Sequence, residues 1–152
     1  MATMTQVTDT LQKDHRQILR LFDQFGRARK PRQKTEITAR IVEDLSLHTA
    51  IEEEIFYPML RLVLGEERLA DYATDQHYTA GRLMKRLSRM NAADSGFTDT
   101  VQELEGLIRR HISEEEIIVH SIVENSSEVD LTALNAQWER RKNELLAEKR
   151  AA

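Results

Sequence analysis

The chain has 152 residues and a mass of 17.7 kDa, one ordinary domain, able to bury about two-thirds of its surface without a covalent staple. It contains no cysteine, which excludes a disulfide scaffold, a cysteine-ligated iron–sulfur site and thiol chemistry. Lys and Arg total 22 against 26 Asp and Glu, and a net charge of -4 argues against bulk binding to nucleic acid or to an anionic membrane.

With 40% hydrophobic residues, 5 Gly and 2 Pro, the composition predicts a soluble, mostly helical domain rather than a disordered chain or a many-stranded β fold. The opening residues MATMTQVTDTLQKDH show no basic region followed by an apolar run. The longest largely apolar stretch, Ile55 to Leu60, is far short of the roughly 20 residues of a membrane span. A cytoplasmic protein with no membrane partner is the expectation.

Glycine and proline divide the chain into five segments. In the first, Leu11, His15, Ile18, Phe22 and Phe25 step by threes and fours. Gly26 closes it, and Pro31 suits the first turn of the next helix. The second carries Ile37, Ile41, Leu45, His48, Glu52, Ile55 and Met59 on one face and ends at Gly65. The third offers Leu69, Ala73, His77, Ala80, Met84 and Leu87. A polar loop, Asn91 to Gly96, follows, with Thr98 as a candidate N-cap. The fourth runs Val101, Leu104, Ile108, His111, Glu115, Ile118 and Ile122. Steps of three and four mark core-facing stripes, and four such helices on short connections predict an all-α, up-down-up-down four-helix bundle over residues 1–127. After a break at Ser126 and Ser127, residues 128–152 form a further amphipathic helix with Leu131, Leu134, Trp138 and Leu145 on one side. It packs on the bundle or extends from it toward a protein partner, and Trp138 is its expected anchor.

The stripes are interrupted by polar residues. Four of the five histidines fall at core positions, one per helix: His15, His48, His77 and His111. Glu52 and Glu115 each follow a histidine by four residues, about 40° around and one turn along, so each pair converges. Burying these groups unpaired costs several kcal/mol per ion, whereas imidazole and carboxylate are both metal ligands.

The chain also looks duplicated. His15 and His48 are 33 residues apart, His77 and His111 are 34, and both HTAIEEEI and HISEEEII place Glu at +4 and +5 and Ile at +7. Two facing halves would build a pseudo-symmetric site for two metals, with His15 and His48 on one, His77 and His111 on the other, and Glu52 and Glu115 placed to bridge. His120, nine residues after His111, lies on the opposite side of its helix and reads as a surface residue beside Glu116. Glu53, Glu54, Glu114 and Glu116 flank the stripe on what reads as a solvated face, with Glu53 and Glu116 as candidate outer partners of the ligands.

The combination His15, His48-x3-Glu52, His77, His111-x3-Glu115 resembles the hemerythrin-like (HHE) cation-binding domain family over about residues 8 to 125. The resemblance implies a bundle holding two iron ions with an oxo or hydroxo bridge, and the Tyr57-Pro58 pair also looks familial. Ferritin-like bundles use Glu-x-x-His, and no histidine here has an acidic residue three positions before it. The oxygen-carrying hemerythrins keep a second histidine four residues after that of the third helix, where this chain has Gly81, and they close the fourth helix with His-x4-Asp instead of His-x3-Glu. At Gly81 two readings stand: a close approach of two helices, or an open coordination position taken by water, a tyrosine (Tyr57, Tyr72 or Tyr78) or a small substrate.

A centre with more open positions than a carrier suits turnover of O2, hydrogen peroxide or nitric oxide by a diiron oxidoreductase, with no catalytic residue beyond the metal ligands. Sensing through a partner, and metal or O2 binding without turnover, are the alternatives. Iron rests on the resemblance alone, since manganese, zinc and copper also accept such donors.

Overall fold

A computed structural model of the chain describes residues 2–125 and 127–151. The stripes dictate the architecture. Helix α1 (Ala2–Arg27) buries Leu11, Ile18, Phe22 and Phe25, and Pro31 opens α2 (Pro31–Ile51), which buries Ile41 and Leu45. Gly65 ends the second rod with φ 63°, a left-handed conformation that favours glycine, and its N–H bonds to the Arg61 carbonyl at 3.0 Å. Helix α4 (Glu67–Leu87) and helix α5 (Phe97–Asn125) follow, and α6 (Glu128–Ala151) closes the chain.

Helices α1, α2, α4 and α5 pack around two apolar layers. One, around Phe22, Leu45 and Leu104, fills the end where α4 meets α5 across the Asn91–Gly96 loop. The other, around Phe56, Leu60 and Ile122, lies at the opposite end, and α6 joins it through Leu131, Leu134 and Trp138. The polar stripe residues lie on the same inward faces as both layers. Among the described residues, helix α6 packs mainly on α1 and α2, and the α4–α5 side meets α3 rather than α6. Among the described residues, no helix is long and apolar enough to cross a membrane.

Three local expectations are corrected. Between α2 and α3 (Tyr57–Leu64), residues Glu52–Phe56 form a π turn, in which the Tyr57 N–H bonds to the Glu52 carbonyl five residues back. In an α-helix those residues would lie about 140° apart; the wider turn stacks them on one face. Phe56, Tyr57 and Leu60 therefore take the core positions expected of Ile55 and Met59, which are half-buried. Pro58 explains the location, because it has no N–H to continue an α ladder. In α4 the inward residue is Ala70, and Leu69 is 38% exposed. Thr98 is not an N-cap: α5 starts at Phe97 after Gly96 (φ 88°), and the Thr98 hydroxyl instead accepts from Lys34 Nζ at 3.3 Å. Ser126, half of the expected break, lies outside the described residues.

Candidate metal centre

His15 comes from α1, His48 from α2, Glu52 from the first residue of the π turn, His77 from α4, and His111 and Glu115 from α5. All six are buried, Glu52 completely. They form two overlapping groups, His15–His48–Glu52–Glu115 and Glu52–His77–His111–Glu115, and in each the donor atoms lie within 4.8 Å of one another. Glu115 divides its oxygens between the groups: Oε1 is 3.0 Å from His15 Nε2, and Oε2 is 3.0 Å from His111 Nε2. Glu52 Oε1 lies 3.0 Å from His48 Nε2, 3.4 Å from His77 Nε2 and 4.0 Å from His111 Nε2. All four imidazoles thus point Nε2 inward.

Proximity does not satisfy this cluster. Among the described residues, eight buried side-chain nitrogens and oxygens have no hydrogen-bond partner, and six of them belong to His15, His48, Glu52 and His77. Both Glu52 oxygens and His48 Nε2 are among the six, although Glu52 Oε1 and His48 Nε2 lie 3.0 Å apart. A fully buried carboxylate with two unbonded oxygens is costly, and a cation between it and the imidazoles removes that cost. The donor set therefore fits a metal.

The electrostatics agree. Burial alone would lower the His48 pKa, but the Glu52 carboxylate and the nearby Asp14 outweigh it and push it up to about 10. At His111 burial is likewise outweighed, by Glu115 and Glu52, and the pKa rises to about 10. Burial would raise Glu52, yet His48, Glu115 and His111 hold it well below the usual carboxylate range. In a metal-free chain the cluster thus recruits protons to stand in for cationic charge.

Each histidine turns Nδ1 outward toward a polar side chain of a neighbouring element, and only that of His111 is hydrogen-bonded there. Asp14 Oδ2 of α1 lies 3.5 Å from His48, and Glu53 Oε1 of the π turn lies 3.4 Å from His77. Gln76 Oε1 of α4 accepts from His111 at 2.6 Å, and Glu116 Oε1 of α5 lies 3.6 Å from His15. The sequence named Glu53 and Glu116 as candidate outer partners of the ligands; Asp14 and Gln76 were missed. Each directly precedes a stripe histidine, at matching places in the two similar halves of the chain, but nothing in that placement sets it apart from a solvated neighbour.

Tyr57 is the tyrosine at the cluster. The π turn brings it inward, and its hydroxyl donates to Glu115 Oε2 at 2.9 Å and lies 3.0 Å from His77 Nε2. Burial, then Glu52 and Glu115, raise its pKa far above the ordinary phenol value, so it keeps its proton. Tyr78 is 70% exposed and is not brought to the cluster, as its 100° offset from His77 requires; Tyr72 is 48% exposed. A Cβ built on Gly81 would meet no atom within 4 Å, so close helix approach does not account for this glycine. His120 is 75% exposed and pairs with Glu124 at 3.0 Å, rather than with Glu116. Glu54 binds Arg141 of α6, and Glu114 accepts from Gln76 Nε2 at 3.0 Å.

The model of the hemerythrin HHE cation-binding domain matches residues 6–123. The chain belongs to this family. Among curated proteins, this hemerythrin-like chain is 29% identical over 115 residues to an uncharacterized hemerythrin-like protein of Schizosaccharomyces pombe, covering 74% of the chain and 57% of that protein. It is 25% identical over 132 residues to a protein of Nostoc sp. named DNA nickase, covering 87% of the chain but 36% of that protein. The chain thus spans less than two-thirds of either relative. No solved structure matches it.

Proposed function

We propose that this hemerythrin-like chain is a diiron protein that binds and turns over O2, hydrogen peroxide or nitric oxide. The observation that carries the reading is the pair of overlapping buried donor groups with Glu52 and Glu115 in common. In it, His15 and His48 would hold one iron and His77 and His111 the other, with Glu52 and Glu115 shared between them. The metals, with an oxo or hydroxo bridge, supply redox chemistry when bound. The protein supplies orientation, dryness and a proton. Gln76 Oε1 fixes the His111 ring with Nε2 inward, and Tyr57 holds its proton at Oη beside Glu115 and His77, ready for a basic product. Trp138 sets its ring 5.5 Å from that of His48 and helps exclude water from that side.

Metal analysis of the purified protein with its ultraviolet–visible spectrum tests the reading. Two irons per chain and an oxo-to-iron charge-transfer band are expected, and two colourless zinc ions would overturn it. Rapid peroxide loss after anaerobic iron loading separates turnover from mere binding. A sensing role is favoured by one further contact: Lys142 of α6 binds Asp14 Oδ1 at 3.0 Å, and Asp14 Oδ2 lies 3.5 Å from His48 Nδ1, which puts α6 within two contacts of the centre. Deleting residues 128–152 tests this, because loss of partner binding with an intact spectrum favours sensing. DNA cleavage is not carried over from the Nostoc relative, as the chain has no excess of basic residues to engage phosphates.

A further inference from the structure

The two halves of the centre meet very different surroundings. On the α1–α2 side, beneath α6, a space of about 160 Å³ is lined by the charged groups of Asp14, Asp44 and Lys142 beside His48. On the other side, a cleft of about 480 Å³ runs between α4 and α5. Its walls are Leu69, Tyr72, Ala73, Ile117 and Ile118, and its floor is Gln76, His111 and Glu115, so it ends at the second donor group. Leu69, Tyr72 and Ile117 are 38%, 48% and 70% exposed, an apolar surface with a polar bottom.

A diatomic gas or hydrogen peroxide needs no such space, since a water occupies about 30 Å³. The cleft instead falls in the range of about 300–1,000 Å³ typical of organic ligands, while the space under α6 falls below it. Its charge selects further: Glu66 and Glu114 are its charged residues besides the cluster's own His111 and Glu115, and they disfavour an anion. Gln76 is fixed at both ends, donating to Glu114 and accepting from His111, so the floor is held in place.

We propose that the α4–α5 cleft binds a neutral organic molecule with an apolar body, whose hydrogen-bonding head stops at His111 and Glu115. The head's approach to a metal there rests on the functional reading above; the body's binding rests on the cleft alone.

Isothermal titration of the protein as purified, with cumyl alcohol as the neutral probe and benzoate as its anionic counterpart, tests this. The alcohol is expected to bind about tenfold more tightly than benzoate, and Ile117→Asp or Ser121→Phe to weaken it about tenfold or more. Both positions lie away from the deep core, and helical circular dichroism verifies that the variants fold. Leu146→Phe, in the space under α6, is expected to leave the affinity unchanged. No heat with cumyl alcohol, equal binding of benzoate, or equal losses for Leu146→Phe and Ser121→Phe would overturn the assignment. Metal content of the same sample separates the two readings. Alcohol binding without metal supports the cleft and refutes the centre, whereas two metals without alcohol binding overturns the cleft alone.

Discussion

Trp138→Ala tests whether α6 is part of the fold and of the centre. The indole is 3% exposed, packs with Phe56 and Leu134 around a residual space of only about 10 Å³, and stands at 5.5 Å against the His48 ring. Truncating a core tryptophan costs about 3–5 kcal/mol, more where the site cannot collapse. Against this, Trp138 Nε1 is buried without a hydrogen-bond partner, an orphan donor worth about 1–3 kcal/mol that the substitution removes. The net loss centres on about 2 kcal/mol, which for a chain of this size lowers Tm by roughly 4–8 °C. Trp138→Phe keeps most of the packing and discards the orphan N–H, so it should lose less than about 1.5 kcal/mol. Calorimetric melts of the metal-loaded and chelated forms measure both, and metal titration is expected to show weaker binding at the His15–His48 position in the alanine variant. A Trp138→Ala protein melting within about 1 °C of the parent, or a Phe variant as damaged as the Ala variant, would refute the reasoning.

Metal stoichiometry by mass spectrometry should divide the ligands into two kinds. Glu52→Ala loses both ions because Glu52 belongs to both groups, while His15→Ala loses one; a Glu52→Ala protein that keeps two refutes the bridging role. For pH, the folded pKa values of His48 and His111 lie near 10, above the ordinary 6.5. Their protonation thus stabilises the metal-free fold fully below about 6.5 and is lost as pH rises through about 10. A metal must displace those protons, so its affinity should rise between pH 6.5 and 10 by up to about tenfold per proton per unit, and a flat titration from pH 7 to 9 refutes this. Gln76→Ala strips His111 of its acceptor and should weaken metal binding at the His77–His111 position by about 10- to 100-fold; unchanged affinity refutes an orienting role.

The stripes of α1 and α5 were legible because an uninterrupted α-helix repeats every 3.6 residues, so Leu11 to Phe25 and Val101 to Glu115 project onto one face. The second stripe failed at one point, beyond Glu52, where a fixed 100° step cannot anticipate a π turn. Pro58 was the available warning, and reading it would have turned Tyr57 inward and Ile55 aside. The six buried donors were legible because buried imidazole and carboxylate contradict an apolar stripe. Asp14 and Gln76 were not, because a polar residue beside a stripe looks like any solvated neighbour until the adjacent helix brings a histidine to it.

The outer polar side chains show how the two similar halves of the chain differ. Each comes from the helical rod preceding its histidine: α1 serves α2, the π turn serves α4, α4 serves α5, and α5 returns to α1, closing a ring around the cluster. Three members are carboxylates, and the fourth is the amide of Gln76, at the place that Asp14 occupies in the first repeat. His111 is the one of the four whose Nδ1 is hydrogen-bonded, to Gln76 Oε1 at 2.6 Å, while the carboxylates of Asp14, Glu53 and Glu116 stand 3.5, 3.4 and 3.6 Å from theirs. The difference matches the surroundings. Asp14 is clamped by Lys142 under the α6 cap, with its own pKa lowered by His48 and Lys142 against the effect of burial, whereas Gln76 lies on the floor of the open cleft. Gln76 in place of a carboxylate, and α6 laid over the other half, make the two donor groups unequal. His111 and Glu115, at the foot of the α4–α5 cleft, are the donors that a molecule in that cleft would meet.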